Sequence, residues 1–93
     1  MRIELANKVS REMYFFERKT AQIWPVAVVA ESKSGDTVDT AYGERLRTNT
    51  KTHAVFHGWD YARIAQKLER NELDAEYDEI LARNKLRRVR VAI

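Results

Sequence analysis

The chain has 93 residues, 44% hydrophobic and 33% charged, with three glycines, one proline and no cysteine, which suits one small core in a single domain over residues 1–93. The lack of cysteine excludes disulfides, thiolate metal sites and thiol nucleophiles, so a small disulfide scaffold is ruled out and the cytoplasm is the expected compartment. Seventeen Lys and Arg against fourteen Asp and Glu give +3, short of the strongly basic signature of an obligate nucleic-acid binder. No apolar run approaches the ~20 residues of a membrane helix, and Arg2 and Glu4 stand where an export signal would be apolar, so neither membrane nor export is expected.

Ile3 and Leu5 alternate with Arg2 and Glu4, a short half-buried strand pattern ending near Asn7. Residues 10–19 carry two signals. Val9, Met13 and Phe16 fall at helical spacing with Ser10 available as a cap, whereas Met13, Tyr14, Phe15 and Phe16 in succession suit a strand with both faces covered. The strand is the reading adopted.

The most apolar stretch, Gln22 to Glu31, predicts the buried strand around which the rest is built. Pro25 has no N–H to donate to a ladder, so the central part should begin at Val26, with Ile23 and Trp24 on an edge or in an extended lead-in. Ser32 to Asp36 form a turn, and the alternation of Val38, Thr40 and Tyr42 predicts an antiparallel partner strand over Asp36 to Tyr42. Gly43 is expected at a bulge or break before Arg45, Leu46 and Arg47; Asn49 to Thr52 at a loop or edge; and Ala54, Val55 and Phe56 in a further strand.

Two helices should follow. Asp60 is the expected N-cap of the first, over about 60–70, with Trp59 and Ile64 as a hydrophobic staple and Tyr61, Ile64, Ala65 and Leu68 as its apolar face. Asn71 is the expected N-cap of the second, with Asp74 at its third position, Leu73, Tyr77, Ile80 and Leu81 as its stripe, Glu79 paired with Arg83, and Asn84 as its stop. Arg88 and Arg90 then alternate with Val89, Val91 and Ile93 as a last strand with one basic face. The expected fold is α+β: an antiparallel sheet of four or five strands with the two C-terminal helices packed on one face. Its core should include Val26, Val28, Ile64, Leu68, Tyr77, Ile80, Leu81 and Val91.

Candidate chemistry is sparse. His53 and His57 would bind one metal from a helix, but on a strand they stand about 13 Å apart at ~3.3 Å per residue, so no metal site is expected. The acids from Glu72 to Glu79 miss the glycine and glutamate spacing of a calcium loop and suit the first turns of a helix, where the macrodipole favours negative charge. Ser10, Ser32 and Ser34 lack a nucleophile-elbow pattern, and Gly35, Gly43 and Gly58 cannot form a phosphate loop. No enzyme and no cofactor are expected.

Two features remain. Arg87, Arg88 and Arg90, with Arg45 and Arg47, would form a basic sheet face if the two segments were neighbours, fit for carboxylates or phosphates; solubility and edge protection are the ordinary explanation. Tyr14 or Tyr42 could accompany them on an open sheet face, although most of the aromatic residues should be core. The general profile, short, cysteine-free, densely charged and without catalytic residues, is similar to that of many phage-encoded inhibitors of host enzymes and defence complexes, including anti-CRISPR proteins. It is a resemblance of type, with no motif behind it. The expected function is a small non-catalytic inhibitor that binds a protein or nucleoprotein complex through an acidic surface on that partner. The alternative is a small nucleic-acid-binding module using the basic face.

Overall fold

The structure, a computed structural model, describes residues 10–88; the expected strands at Ile3–Leu5 and Val89–Ile93, with Val91 of the expected core, lie outside them. Strands β1 (Arg11–Glu17), β2 (Gln22–Glu31), β3 (Thr37–Thr40), β4 (Arg45–Arg47) and β5 (His53–Phe56) precede helices α1 (Trp59–Arg70) and α2 (Ala75–Arg83). The fold is α+β, with one antiparallel sheet in the order β4-β3-β2-β1-β5.

β1 resolves the double signal of its sequence. It lies between β2 and β5, with Tyr14 opposite Pro25 on one side and Phe56 on the other. Both of its edges are therefore paired, and four large apolar residues in a row alternate between the two faces, with Met13 and Phe16 buried and Tyr14 and Phe15 half-buried. Met13 and Phe15 join Val28, Val38, Val55, Val26 and Leu46 in one apolar cluster. Tyr14 and the fully buried Phe16 share the other face, where Tyr14 meets the Trp59 ring of α1 edge-on at 5.7 Å.

Among the described residues no helix residue joins the Met13–Val28–Val38–Val55 cluster; the sheet curls round it instead. A bulge between Val28 and Ala30 bends β2. The two outer strands then meet, since the Val55 N–H donates to Thr48 O at 2.8 Å and Asn49 bridges to Ala54. Of the two expected positions for Gly43, a bulge or a break before Arg45, the structure shows the break: Gly43 is in the β3–β4 turn, at φ +88° with its N–H on Thr40 O.

α1 packs against β1, β2 and β5, and α2 packs against α1. Several expectations shift here. Gly58, extended and without a side-chain cap, precedes α1, so Asp60 is inside the helix and not its cap. The Asp60 carboxylate instead takes both arms of Arg83, at 2.8 Å each, and the Asn84 amide at 2.9 Å. That bond replaces the expected pairing of Arg83 with Glu79, because a two-pronged guanidinium–carboxylate contact outweighs a single pair along one helix. Asn71 closes α1 at φ 57°, a left-handed position that asparagine tolerates, and Asp74 caps α2 by accepting the Tyr77 N–H at 2.9 Å.

α1 also buries a different face from the one its apolar residues suggest. Ala62, Gln66 and Lys67 are buried, whereas Ile64 is half-buried and Leu68 is 55% exposed. Ala62 permits close approach, and both polar side chains find partners: Gln66 Nε2 donates to Ala21 O at 2.7 Å and Lys67 Nζ to Asp74 at 2.9 Å. Satisfied polar groups can be buried at little cost. Of the remaining expected core, Val28, Tyr77, Ile80 and Leu81 are buried and Val26 is half-buried.

Candidate functional site

The basic set does not form one face within residues 10–88. Arg45 and Arg47 lie on β4, at the edge of the sheet beside β3. Arg45 Nε donates to Asp39 Oδ1 at 2.8 Å, and that bond raises the guanidinium pKa. Arg47 is exposed, with its carbonyl accepting from His53 Nε2 at 2.8 Å. Arg88 lies along α2: Nε and Nη2 contact Asp78 at 2.7 and 3.0 Å, Nη2 also donates to Leu73 O, and the guanidinium carbon stands 5.4 Å from the Tyr77 ring centre. Arg87 is exposed and Arg90 lies outside the described residues. Two of the five arginines are thus turned to carboxylates of the same chain, which any incoming phosphate or carboxylate would have to displace.

The histidines have separate tasks. His53 stacks on Phe15 at 4.7 Å, and His57 Nε2 lies 3.0 Å from Glu31 Oε2. Among the described residues no three His, Cys, Asp or Glu side chains are grouped to hold a metal ion.

A different surface stands out, on β2. Its run Ile23–Ala30 is the most apolar in the chain, yet Val28 is its only fully buried residue, and Trp24, Pro25 and Ala30 are exposed. The expected burial from Val26 onward is full at Val28 and partial at Val26, Ala27 and Val29, and the exposure of Trp24 agrees with the edge position expected for it. The cause is pairing: β3 joins β2 only from Val28 onward, so Gln22–Glu17 and the pairs up to Arg11 anchor this half to β1 alone. The Ala27 carbonyl accepts the Ala41 N–H on the β3 side at 2.9 Å. By the two-residue period, Ile23 and Pro25 turn their main-chain groups to that same flank, where Pro25 brings no N–H.

Along this flank runs a groove of about 670 Å³ lined by Phe15, Trp24, Pro25, Val26, Tyr42 and Leu46, with Glu12 and Glu44 as its charged residues. Tyr42 is 88% and Trp24 42% exposed. Trp24 stacks on Phe15 at 5.3 Å, and His53 stacks on the same ring, so three rings form a row. The Tyr14 hydroxyl donates to Glu12 at 2.7 Å, a bond that raises the tyrosine pKa and fixes the carboxylate. A second hollow, lined by Val29, Ala30, Thr40 and Arg45, shares Ser10 and Tyr42 with the first. The signal in the sequence was Pro25, which marks an edge inside a run whose composition says core.

Comparison with protein-family models, curated proteins and solved structures gives no match. No helix among the described residues is long and apolar enough to cross a membrane.

Proposed function

We propose that this protein acts by binding, without catalysis, and that it engages a protein or nucleoprotein partner through the groove along β2. An inhibitor of the phage-encoded kind works in this way, covering a working surface of its target, and that is the function we favour. The observation that carries the reading is the exposure of two aromatic residues at one groove, Trp24 on the chain's most apolar strand and Tyr42 in the β3–β4 turn. Exposed aromatic side chains beside an apolar groove are the usual anchors of protein interfaces.

Nucleic-acid binding is the second reading, favoured by the ring row of His53, Phe15 and Trp24, whose His53 end adjoins Thr50, the residue whose carbonyl accepts from Arg18 Nε. Stacked rings beside cations suit single strands. Glu12 and Glu44 at the other end oppose it, because they repel phosphates.

Capture from a bacterial lysate, with and without nuclease, using the parent and the variant Tyr42→Ala, separates the readings. A partner that survives nuclease and is lost with Tyr42→Ala supports the first. Loss of every partner on nuclease treatment supports the second, and capture unaffected by Tyr42→Ala removes the groove from both.

A further inference from the structure

We infer that the segment filling the β2 groove is a proline-bearing stretch in the polyproline II conformation, carrying a lysine or arginine toward Glu12 and Glu44. The inference rests on the reading of the groove as the partner site and adds the chemistry of its occupant.

Three observations carry it. First, the open flank of β2 is poorly equipped to accept another strand. Between Gln22 and Ala27 the groups facing the flank are those of Ile23, Pro25 and Ala27. Pro25 has no N–H, and the Ala27 carbonyl is already taken by Ala41 at 2.9 Å. An added strand would meet a gap at the centre of its ladder. A polyproline II segment makes no ladder and keeps its carbonyls turned outward, so it loses nothing at Pro25.

Second, the donors missing from the main chain are present on side chains. The Trp24 indole N–H and the Tyr42 hydroxyl both sit at the groove, and neither has a hydrogen-bond partner among the described residues. Outward carbonyls of a polyproline II segment are suitable acceptors for both, and flat aromatic faces pack well on proline rings.

Third, the groove is acidic in a chain of net charge +3. Glu12 and Glu44 are both exposed and, among the described residues, are the only charged ones lining it. They select a cationic flank and disfavour a phosphate backbone.

The test is a titration of the full chain, followed through the Trp24 indole resonance, with four probes. These are a proline-rich decapeptide flanked by arginine, the same peptide flanked by glutamate, an alternating valine–threonine peptide flanked by arginine, and an oligothymidine. The arginine-flanked proline peptide should shift Trp24 and saturate. Its glutamate counterpart should bind on the order of tenfold more weakly. Tyr42→Ala, at a residue too exposed to support the core, should weaken the first peptide by about tenfold, the loss usual for an aromatic anchor. Glu44→Gln should reduce the preference for arginine over glutamate.

Equal or tighter binding of the valine–threonine peptide would replace the inference with strand addition. Binding of the oligothymidine alone would replace it with base stacking. Concentration-dependent shifts of Trp24 without any probe would make the occupant a second copy of this chain. If no peptide binds while Tyr42→Ala still abolishes capture of a protein partner, the groove is the site and the occupant's chemistry is wrong; if capture is also unaffected, the functional reading falls with it.

Discussion

Lys67 and Asp74 join the two helices through a buried ammonium: the Lys67 side chain is 1% exposed, and its Nζ stands 2.9 Å from both carboxylate oxygens of Asp74. The same carboxylate caps α2 through the Tyr77 N–H. Their hydrogen bonds hold the lysine pKa above, and the aspartate pKa below, the ordinary values. Removing the Asp74 charge leaves the buried ammonium with Glu76 alone, at 3.2 Å, whereas replacing the lysine by an apolar side chain of similar volume leaves only a half-exposed Asp74 carboxylate, which water can solvate. Thermal unfolding should therefore rank the variants, with Asp74→Ala losing both the cap and the pair and melting lower by about 5 °C or more. Asp74→Asn, which keeps an acceptor for the cap, should fall between it and Lys67→Met.

Acid should loosen the helix pair in a defined window. The Arg83 guanidinium, helped by the Asn84 amide, lowers the Asp60 pKa from its ordinary 3.8 to about 2. A depressed carboxylate pKa contributes stability that is fully present above the unfolded value and is lost as pH falls through the folded one. Asp74 and Glu76 shift in the same direction, through Lys67 and Arg63 respectively. The melting temperature should thus decline as pH falls from 3.8 toward about 2, and Asp60→Asn should make that decline shallower while lowering stability at neutral pH. An unchanged slope in the variant would mean that Asp60 contributes nothing there.

Gln66 ties α1 to the β1–β2 turn. Its amide donates at 2.7 Å to the carbonyl of Ala21, itself at φ 57°, and its oxygen accepts from Arg63. Gln66→Leu keeps the bulk and leaves that carbonyl without its donor, which costs about 1–3 kcal/mol. Chemical denaturation should register the loss as a lower midpoint with an unchanged slope.

The strands were legible because their signal is alternation and turn residues: Met13 to Phe16, Val38 to Tyr42 and Ala54 to Phe56 all fall in or beside observed strands. Helix positions were legible too, but their caps were displaced. Asp60 and Asn71 have the right chemistry for capping, yet Asp60 is drawn to a guanidinium from the other helix, and Asn71 fits the left-handed turn that closes α1. Which face of α1 is buried was not legible, because Gln66 and Lys67 owe their burial to Ala21 and Asp74, contacts 45 and 7 residues away. The groove was half legible. Pro25 marked an edge, but only the β2–β3 register shows that β3 stops at Val28 and leaves Trp24 uncovered.

The arginines call for a different probe from a simple reversal of the basic strand. Arg88→Glu would set a carboxylate against Asp78 and remove the cation from the Tyr77 ring, so it should lower the melting temperature by a few degrees. Exchanging the pair, Arg88→Asp with Asp78→Arg, should recover part of that loss, as a double-mutant cycle would measure. Arg47 and Arg87 are exposed with no side-chain hydrogen bond or ion pair among the described residues, so Arg47→Glu with Arg87→Glu should melt as the parent does. That double variant is the clean test of the basic surface. For a nucleic-acid binder, affinity should fall and the salt dependence should become shallower by roughly one unit of slope per phosphate contact removed. For the protein-directed function proposed above, capture of the partner should persist in this variant and disappear with Tyr42→Ala, because Trp24 and Tyr42 line the groove whereas Arg47, on β4, and Arg87, beyond α2, do not.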